Sequence, residues 1–146
     1  MTKIIGSPTR YIQGKGELKK LAAHASSLGK KLFVIVDKNI QDIVKPDIEA
    51  QDVDILFESF QGECCMSEIN RIIDIVKTNG CDVIVGVGGG KTHDTSKAVA
   101  HYTKKPVVIV PTIASTDAPC SSLSVIYSDE GVFDKYLFLP TSPNIV

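Results

Sequence analysis

A glycine-rich segment in the middle of the chain is the stretch best suited to binding chemistry. Residues 85–94 read V-G-V-G-G-G-K-T-H-D, with Gly88, Gly89 and Gly90 between an apolar run and a predicted helix. Glycines let the backbone approach a ligand closely, and a helix start directs free N–H groups and a positive dipole end at it. A diphosphate or another anion suits this place. A turn needed only for tight packing is the alternative.

The segment nearly fits two phosphate-binding patterns and departs from both. Gly86 and Gly88 match the first glycines of G-x-G-x-x-G, but Lys91 stands at its last position. The end of the P-loop pattern G-x-x-x-x-G-K-[ST] fits residues 90–92, but its first glycine would fall on Val85. Because Val85 lies inside the predicted strand, the loop is too short to wrap a triphosphate.

Two further groups are candidates for ligand binding. Asp37 follows an apolar run, where a carboxylate can accept both hydroxyls of an adenine ribose. The residues alone favour a different role for Asp37, an N-cap before Lys38. Segment 111–122 follows a later apolar run and is rich in hydroxyls, with Asp117 as its single carboxylate. It suits either a polar ligand or an ordinary solvated loop.

These groups are placed on an alternating pattern of helices and strands. Apolar runs predict strands at 31–36, 53–60, 81–87 and 107–110. Periodic spacing predicts helices at 17–28, 38–50 (broken or ended by Pro46), 67–80 (with Ser67 as N-cap) and 91–104. Four strands joined by crossover helices indicate an α/β fold with a doubly wound, Rossmann-like parallel sheet.

The last third of the chain departs from this rhythm. Residues 123–127 and 132–139 alternate in polarity around a four-residue turn, which predicts an antiparallel β-hairpin attached to the sheet. Residues 3–12 are candidates for further edge strands. The chain ends on Ile145 and Val146, where another strand is expected to begin.

Composition narrows the class of protein. The chain has 146 residues, 43% of them apolar, and a formal net charge of −1, which fits one domain and gives no broad positive field. We therefore expect neither a nucleic-acid nor a membrane partner; no run approaches the roughly 18 apolar residues of a membrane span. Cys64, Cys65, Cys81 and Cys120 lack zinc-site spacing and are expected as free thiols in a cytoplasmic protein.

Two long motifs resemble those of a known family. Residues 88–98 are similar to the G-G-G-K-x-x-D-x-x-K-A motif of the metal-dependent (iron-containing type) alcohol dehydrogenases, in their glycerol dehydrogenase branch. Residues 111–119 resemble the P-T-x-A-S-x-D-A-P loop of that branch, and residues 124–131 continue the match. The resemblance implies that residues 1–146 form the N-terminal NAD-binding domain. The helical metal-binding domain of the family is expected to be absent from this chain.

The resemblance also implies roles for individual residues. Asp37 would bind the adenine ribose and favour NAD over its 2′-phosphate, and Asp117 would reach the substrate hydroxyls. The other expected cofactor-binding residues are Gly88, Gly89, Gly90, Lys91, Thr92, His93, Asp94, Thr112, Ile113, Ala114, Ser115, Ser121, Leu123 and Tyr127.

Histidine is where the chain departs most from the family pattern. His93 replaces a more usual apolar residue, and we expect it to titrate near its ordinary pKa of about 6.5, so that protonation tightens NAD binding. The family holds zinc or iron with one Asp and two His of the C-terminal domain. His24, His93 and His101 are expected in surface or core roles, so no catalytic or metal-binding residue is assigned here.

The expected function is therefore that of part of an enzyme. An NAD-dependent glycerol dehydrogenase oxidises glycerol or a similar small polyol by hydride transfer, and this chain alone is expected to be inactive. The alternatives are part of a dehydroquinate-synthase-like or glycerol-1-phosphate dehydrogenase enzyme, or a stand-alone nucleotide-binding module. A phosphorylated substrate would need basic residues, and none lies between Thr112 and Ser128. We also expect self-association, by exchange of the 123–139 hairpin between copies.

Overall fold

The computed structural model describes residues 1–3, 5–49 and 51–146. Residue 4 of the predicted N-terminal edge segment and residue 50 of the second predicted helix lie outside the described residues. The strands are β1 (Lys31–Asp37), β2 (Asp54–Phe60), β3 (Val83–Gly88), β4 (Val107–Pro111), β5 (Leu123–Tyr127) and β6 (Phe133–Phe138). The helices are α1 (Leu21–Ala25), α2 (Gln41–Glu49), α3 (Met66–Asn79) and α4 (Gly90–Thr103), and a 3₁₀ turn (Glu17–Lys20) precedes α1.

The first four strands form one parallel sheet with the order β2-β1-β3-β4. Side chains of β1 alternate between two apolar clusters, one shared with α3 and α4 and the other with α1 and α2. Because both faces are covered, β1 and β3 are buried over almost their whole length, as their continuous apolar runs predict. The predicted doubly wound α/β fold is confirmed.

Helix α4 packs against β3 with almost no space between them. A Cβ atom on Gly86 of β3 would lie 2.7 Å from the Cβ of Ser96 of α4. The Ser96 hydroxyl is already turned back onto its own helix, where it donates to the Thr92 carbonyl at 2.7 Å. This close approach fixes the start of α4 above the carboxyl ends of the strands.

The predicted hairpin is present, as β5 and β6 paired antiparallel. It forms its own two-stranded sheet and does not extend the parallel one. Hydrogen bonds tie β5 to α4, among them those from the Ser124 hydroxyl to the Asp94 carbonyl (2.9 Å) and from the Val125 N–H to the Asp94 carboxylate (3.1 Å). Helix α4 is therefore covered on one side by the main sheet and on another by the hairpin.

Three local predictions about helices are wrong. Helix α2 continues through Pro46 to Glu49. Proline has no N–H to donate to the carbonyl of Asp42 four residues earlier, but Asp42 is exposed and water can bind that carbonyl instead. Cys65, not Ser67, is the N-cap of α3, and the Ser67 hydroxyl donates to Asp129 of the hairpin turn. The single helix predicted over 17–28 is instead a 3₁₀ turn and a short α-helix, interrupted at Lys20, whose φ is −116°.

Two boundaries also move in the structure. Strand β3 begins at Val83 rather than Cys81 because the Asp82 carboxylate accepts the N–H groups of Lys30 and Lys31, both at 3.0 Å. Among residues 5–12 the only backbone pairing of strand type is an isolated bridge between Arg10 and Ile145. Ile145 also bridges to β4, so the end of the chain lies beside the sheet without forming a full strand.

The described residues also bear on the predicted free thiols and on the question of a membrane span. The four cysteines all lie within them and are free thiols, with Cys64, Cys65 and Cys81 buried. None of the helices described is long and apolar enough to cross a membrane.

Candidate functional site

Asp37 and the glycine segment, 50 positions apart, meet at one edge of the sheet. Strands β1 and β3 are neighbours in register, with Val36 opposite Val87, so both strands end at the same level. A Cβ atom on Gly88 would lie 3.2 Å from the Asp37 Cβ and 2.7 Å from the Thr92 Oγ1. No larger residue fits there unless its neighbours move. The two predicted groups are therefore parts of one site.

A cavity of roughly 300 Å³ opens at this point. It is lined by Asp37, Lys38, Asn39, Phe60, Gly62, Gly89, Gly90, Lys91 and Thr92. The first turn of α4 begins here at N-cap Gly89, which has no side chain to cap the free N–H groups. The helix start and the glycine backbone give the cavity the character of an anion site, while Asp37 supplies an acceptor for hydroxyl groups.

Four of these lining residues were not among the sequence-predicted ones: Lys38, Asn39, Phe60 and Gly62. Phe60 ends β2 and pairs in register with Asp37, so its place at the site depends on β2 lying next to β1. The parallel pattern alone does not give that strand order. A signal for Asn39 did exist, since an Asp followed two positions later by a polar residue commonly forms a local turn.

The Asp37 carboxylate is held by such a turn. Its Oδ1 accepts the backbone N–H and the side-chain amide of Asn39, both at 2.9 Å. Helix α2 begins only at Gln41, so Asp37 is not its N-cap. Within the described part of the chain the other carboxylate oxygen has no hydrogen-bond partner, and it is available to a ligand at the cavity wall.

The hydroxyl-rich loop lies beside the glycine segment, as a parallel sheet requires. The Thr112 N–H donates to the Gly88 carbonyl at 3.0 Å. A Cβ on Gly89 would be 3.8 Å from the Cγ2 of Ile113. Ala114, Ser115 and Asp117 are exposed on the same side of the sheet, and they do not line the cavity. The carbonyl of Asp117 accepts the N–H groups of residues 120 and 121, which closes the loop.

Asp94, Ser121 of the following loop and Leu123 of β5 surround a buried lysine and do not line the cavity. The Lys97 ammonium lies 3.0 Å from the Asp94 carboxylate and donates to the Ala118 carbonyl (2.8 Å), the Ser121 hydroxyl (3.1 Å) and the Leu123 carbonyl. Burial raises the pKa of Asp94 and lowers that of Lys97, and each charge partly offsets the shift of the other. Lys97 thus anchors the loop to α4; sequence reasoning gave it no role.

The side chain of His93 also lies in the interior. It is 0% exposed, and neither ring nitrogen has a hydrogen-bond partner among the residues that the structure describes. Burial, followed by the positive charge of Lys97, lowers the pKa of His93 to about 4. The expectation that this ring titrates near pH 6.5 beside a diphosphate is wrong, because the ring faces the protein and stays neutral at physiological pH.

Lys91 and Tyr127 meet at the outer edge of the cavity. The Lys91 ammonium lies 5.1 Å from the centre of the Tyr127 ring and 2.6 Å from a carboxylate oxygen of Glu63. Tyr127 does not line the cavity itself and is connected to it through Lys91.

Comparison with known proteins identifies the family that carries this site. Residues 8–146 match the family described as iron-containing alcohol dehydrogenase. The chain belongs to the iron-containing alcohol dehydrogenase family. The resemblance drawn from the two motifs is therefore confirmed, over nearly the whole of the chain.

Three proteins that resemble this iron-containing alcohol dehydrogenase chain are informative. It is 47% identical to the glycerol dehydrogenase of Escherichia coli O6:H1, matching 100% of this chain and 41% of that protein. The crystal structure of a probable glycerol dehydrogenase from Sinorhizobium meliloti superposes with a TM-score of 0.93 at 48% identity, again over 100% of this chain and 40% of the other. A sulfoacetaldehyde reductase from Bifidobacterium kashiwanohense, solved in complex with NAD⁺, shares the fold at a TM-score of 0.85 and 21% identity, over 99% of this chain and 45% of the other. The chain thus spans about two-fifths of the length of the relatives it matches.

The iron in the family's name requires a test of metal binding. Within residues 1–3, 5–49 and 51–146, no group of three or more His, Cys, Asp or Glu side chains could hold a metal ion. His24 is bonded to Glu17 at 2.8 Å, His93 is buried, and His101 is exposed. The described residues of this family member therefore do not fit a zinc or iron ion.

Proposed function

We propose that this chain is the NAD-binding part of an NAD-dependent glycerol dehydrogenase, which converts glycerol to dihydroxyacetone. One observation carries the proposal. The cavity between Asp37 and the start of α4 combines a hydroxyl acceptor with an anion site, in a chain 47% identical to a glycerol dehydrogenase. The stand-alone nucleotide module and the phosphorylated-substrate enzymes have no comparable support.

The residues of the cavity fit the parts of a dinucleotide. The free oxygen of Asp37 suits the ribose hydroxyls of the adenosine half. Gly89, Gly90 and the first N–H groups of α4 suit the diphosphate, and Gly88 keeps open the space that they need. The loop beginning at Thr112 would then lie toward the nicotinamide end.

The contribution of this chain is binding and orientation. Bound NAD supplies the hydride acceptor. Asp37 would exclude the 2′-phosphate of NADP by charge repulsion, and exposed Asp117 would accept hydroxyl groups of the polyol. We infer that the side chains that bind the family's zinc or iron ion lie in the part of the relatives that this chain does not cover. The chain alone would bind cofactor without oxidising glycerol. Its four free thiols favour the cytoplasm as its location.

Isothermal titration calorimetry with NAD, ADP and ATP tests the proposal. We expect NAD and ADP to bind and Asp37→Ala to weaken both, because the ribose contact is lost. Asp42→Ala removes an exposed acid from the first turn of α2 and serves as the matched control. Binding of ATP in preference to NAD would support a stand-alone nucleotide module instead. Binding of none of the three would contradict a nucleotide site.

A second measurement addresses the reaction itself. Glycerol-dependent formation of NADH by this chain, with and without added zinc, is expected to stay at background. Turnover at a rate that zinc increases would contradict the placement of the metal ligands outside the chain.

A further inference from the structure

Lys91 lines the cavity and is already paired at close range. Its ammonium lies 2.6 Å from the Oε2 of Glu63 and over the ring of Tyr127. The other oxygen of Glu63 accepts the N–H of Cys64 at 3.0 Å. The carboxylate of Glu63 is therefore already the counter-ion of Lys91 at the edge of the proposed diphosphate site.

Glu63 is the fixed member of the pair. Its side chain is 22% exposed, against 50% for Lys91. A Cβ on Gly131 of the hairpin turn would lie 3.2 Å from its Oε2, so the turn packs directly over the carboxylate. The bond from the Tyr127 N–H to the Cys64 carbonyl, at 2.8 Å, ties the same segment to β5. Lys91, with a long flexible side chain and half its surface in water, is the member that can move.

The charged side chains around the cavity would act on a bound diphosphate in opposite directions. Asp37, Lys38 and Lys91 line the cavity, and the carboxylate of Glu63 is paired with Lys91. A diphosphate at the start of α4 would be attracted by Lys91 and repelled by the carboxylates of Asp37 and Glu63. An exposed ion pair is weak because water screens it, so a multiply charged anion can displace one partner.

We infer that Glu63 competes with the cofactor's diphosphate for the ammonium of Lys91 and so weakens cofactor binding. The inference rests on the proposed function, since it assigns the anion in the cavity to a dinucleotide. In the free protein Lys91 pairs with Glu63; in the complex it turns to the diphosphate and leaves Glu63 beneath the hairpin turn. Glu63 is thus an affinity-setting residue outside the direct contacts of the cofactor.

Calorimetric titration of Glu63→Gln with NAD, ADP and inorganic pyrophosphate tests this. Glutamine keeps the acceptor for the Cys64 N–H and removes the charge. We expect Glu63→Gln to tighten the Kd of all three ligands by about fivefold, the largest effect expected from loss of one exposed pair. Glu130→Gln makes the same change in net charge at an exposed position of the hairpin turn and should leave each Kd within about twofold of the parent.

A double-mutant cycle separates competition from a change in fold. In a Lys91→Met background, Glu63→Gln should tighten pyrophosphate binding less than it does in the parent, because only the direct repulsion by Glu63 remains once the contested ammonium is gone. Thermal unfolding of each variant checks its integrity. Glu63→Asp, which keeps the charge but shortens the reach, replaces Glu63→Gln if that variant fails to fold, and it should give a smaller tightening of the same sign.

The outcomes distinguish the inference from the proposed function. Unchanged or weaker binding in Glu63→Gln overturns the inference, as does an equal effect with and without Lys91. Pyrophosphate binding that follows the expected pattern, without any binding of NAD or ADP, supports competition between Glu63 and an anion for Lys91 but contradicts the dinucleotide function. Failure of all three ligands to bind overturns both, because the cavity would then not be an anion site.

Discussion

The Lys97 ammonium and the Asp94 carboxylate lie 3.0 Å apart, one turn from each other on α4, with the lysine side chain 0% exposed. Lys97 reaches across to the carbonyl groups of the loop that follows β4, and Asp94 reaches to the Val125 N–H of the hairpin. One buried ion pair therefore joins α4 to both segments that cover it. Asp94 and Lys97 belong to the motif that resembles a binding signature, but their ion pair acts as a structural clamp that holds these two segments against α4.

We expect removal of Lys97 to be costly. Lys97→Met leaves the Asp94 carboxylate buried without its counter-ion, which costs about 3–5 kcal/mol of unfolding free energy. Lys19→Met, which breaks an exposed pair with Asp47 at 3.6 Å, should cost no more than about 1 kcal/mol. Urea unfolding monitored by circular dichroism measures both. A small loss in Lys97→Met, equal to that of the control, would contradict the clamp.

His93 should give the protein an acid-sensitive stability. In the folded state its pKa is about 4, while in the unfolded chain the ring takes up its proton near 6.5. The unfolded state therefore binds more protons between these values, and stability falls as pH falls through that window, by about 3 kcal/mol in all. Urea unfolding of the parent and His93→Leu from pH 7 to pH 4 should show the parent losing stability relative to the variant as pH falls, because leucine takes up no proton.

His101→Gln is the matched control for this experiment. His101 lies on the same helix but is exposed, so its loss should leave the pH dependence of the parent unchanged. Parallel curves for the parent and His93→Leu would show that the buried ring does not carry the effect.

The glycines of the binding segment should differ sharply in tolerance. A methyl group on Gly86 would meet the Ser96 Cβ at 2.7 Å and the Ile109 Cδ1 at 3.3 Å, so Gly86→Ala should cost about 1–3 kcal/mol by overpacking. On Gly89 the nearest atom would be 3.8 Å away, and Gly89→Ala should cost less than about 1 kcal/mol, the loss expected from a poorer N-cap. Thermal unfolding of the parent and both variants measures these losses in stability. Equal losses in the two variants would refute a packing role specific to Gly86.

The sequence predicts well what depends on one segment at a time. The buried strands β1 and β3 were evident because a strand covered on both faces has no polar side chains to interrupt it. The glycine segment and Asp37 were found because each follows such a strand directly. Parallel strands place both groups at the same edge of the sheet, but their contact depends on β1 and β3 being neighbours.

What the sequence did not predict depends on contacts between distant segments. Residues 92–100 of α4 are all buried, although six of the nine are polar, because the sheet and the hairpin cover the helix from two sides. A polar helix ordinarily indicates exposure, so neither the interior position of His93 nor the role of Lys97 could be derived. Phe60 was missed for the same reason, since only the order β2-β1-β3-β4 brings it to the cavity.

Asp37 should set the choice between the two nicotinamide dinucleotides. Asp37→Asn retains an acceptor for the Asn39 N–H and removes the charge that opposes a 2′-phosphate. We expect the ratio of the Kd for NADP to the Kd for NAD to fall by roughly tenfold. Asp42→Asn, an exposed acid in the first turn of α2, makes the same charge change and should leave the ratio unaltered. An unaltered ratio in Asp37→Asn would remove Asp37 from the ribose site.

The hairpin remains our prediction for the surface through which copies of this chain associate. Three aromatic side chains of β6 stand in water: Phe133 at 51%, Tyr136 at 55% and Phe138 at 75% exposure. Neighbouring rings are 5.0 and 6.3 Å apart, so they form one apolar row. Rows of this kind favour burial against a second surface. We therefore expect light scattering at tens of micromolar to give a mass above that of the monomer.

Substitution in that row identifies the surface and the mode of association. The double variant Tyr136→Ser, Phe138→Ser should restore the monomer mass, whereas Tyr102→Ser, which removes a 41%-exposed ring from α4, should not. Exchange of the hairpin would also require β5 to leave the Asp94 carboxylate, so exchanged oligomers should dissociate slowly after dilution. Fast dissociation would favour simple contact between the aromatic rows. A monomer at every concentration would contradict association through the hairpin in either form.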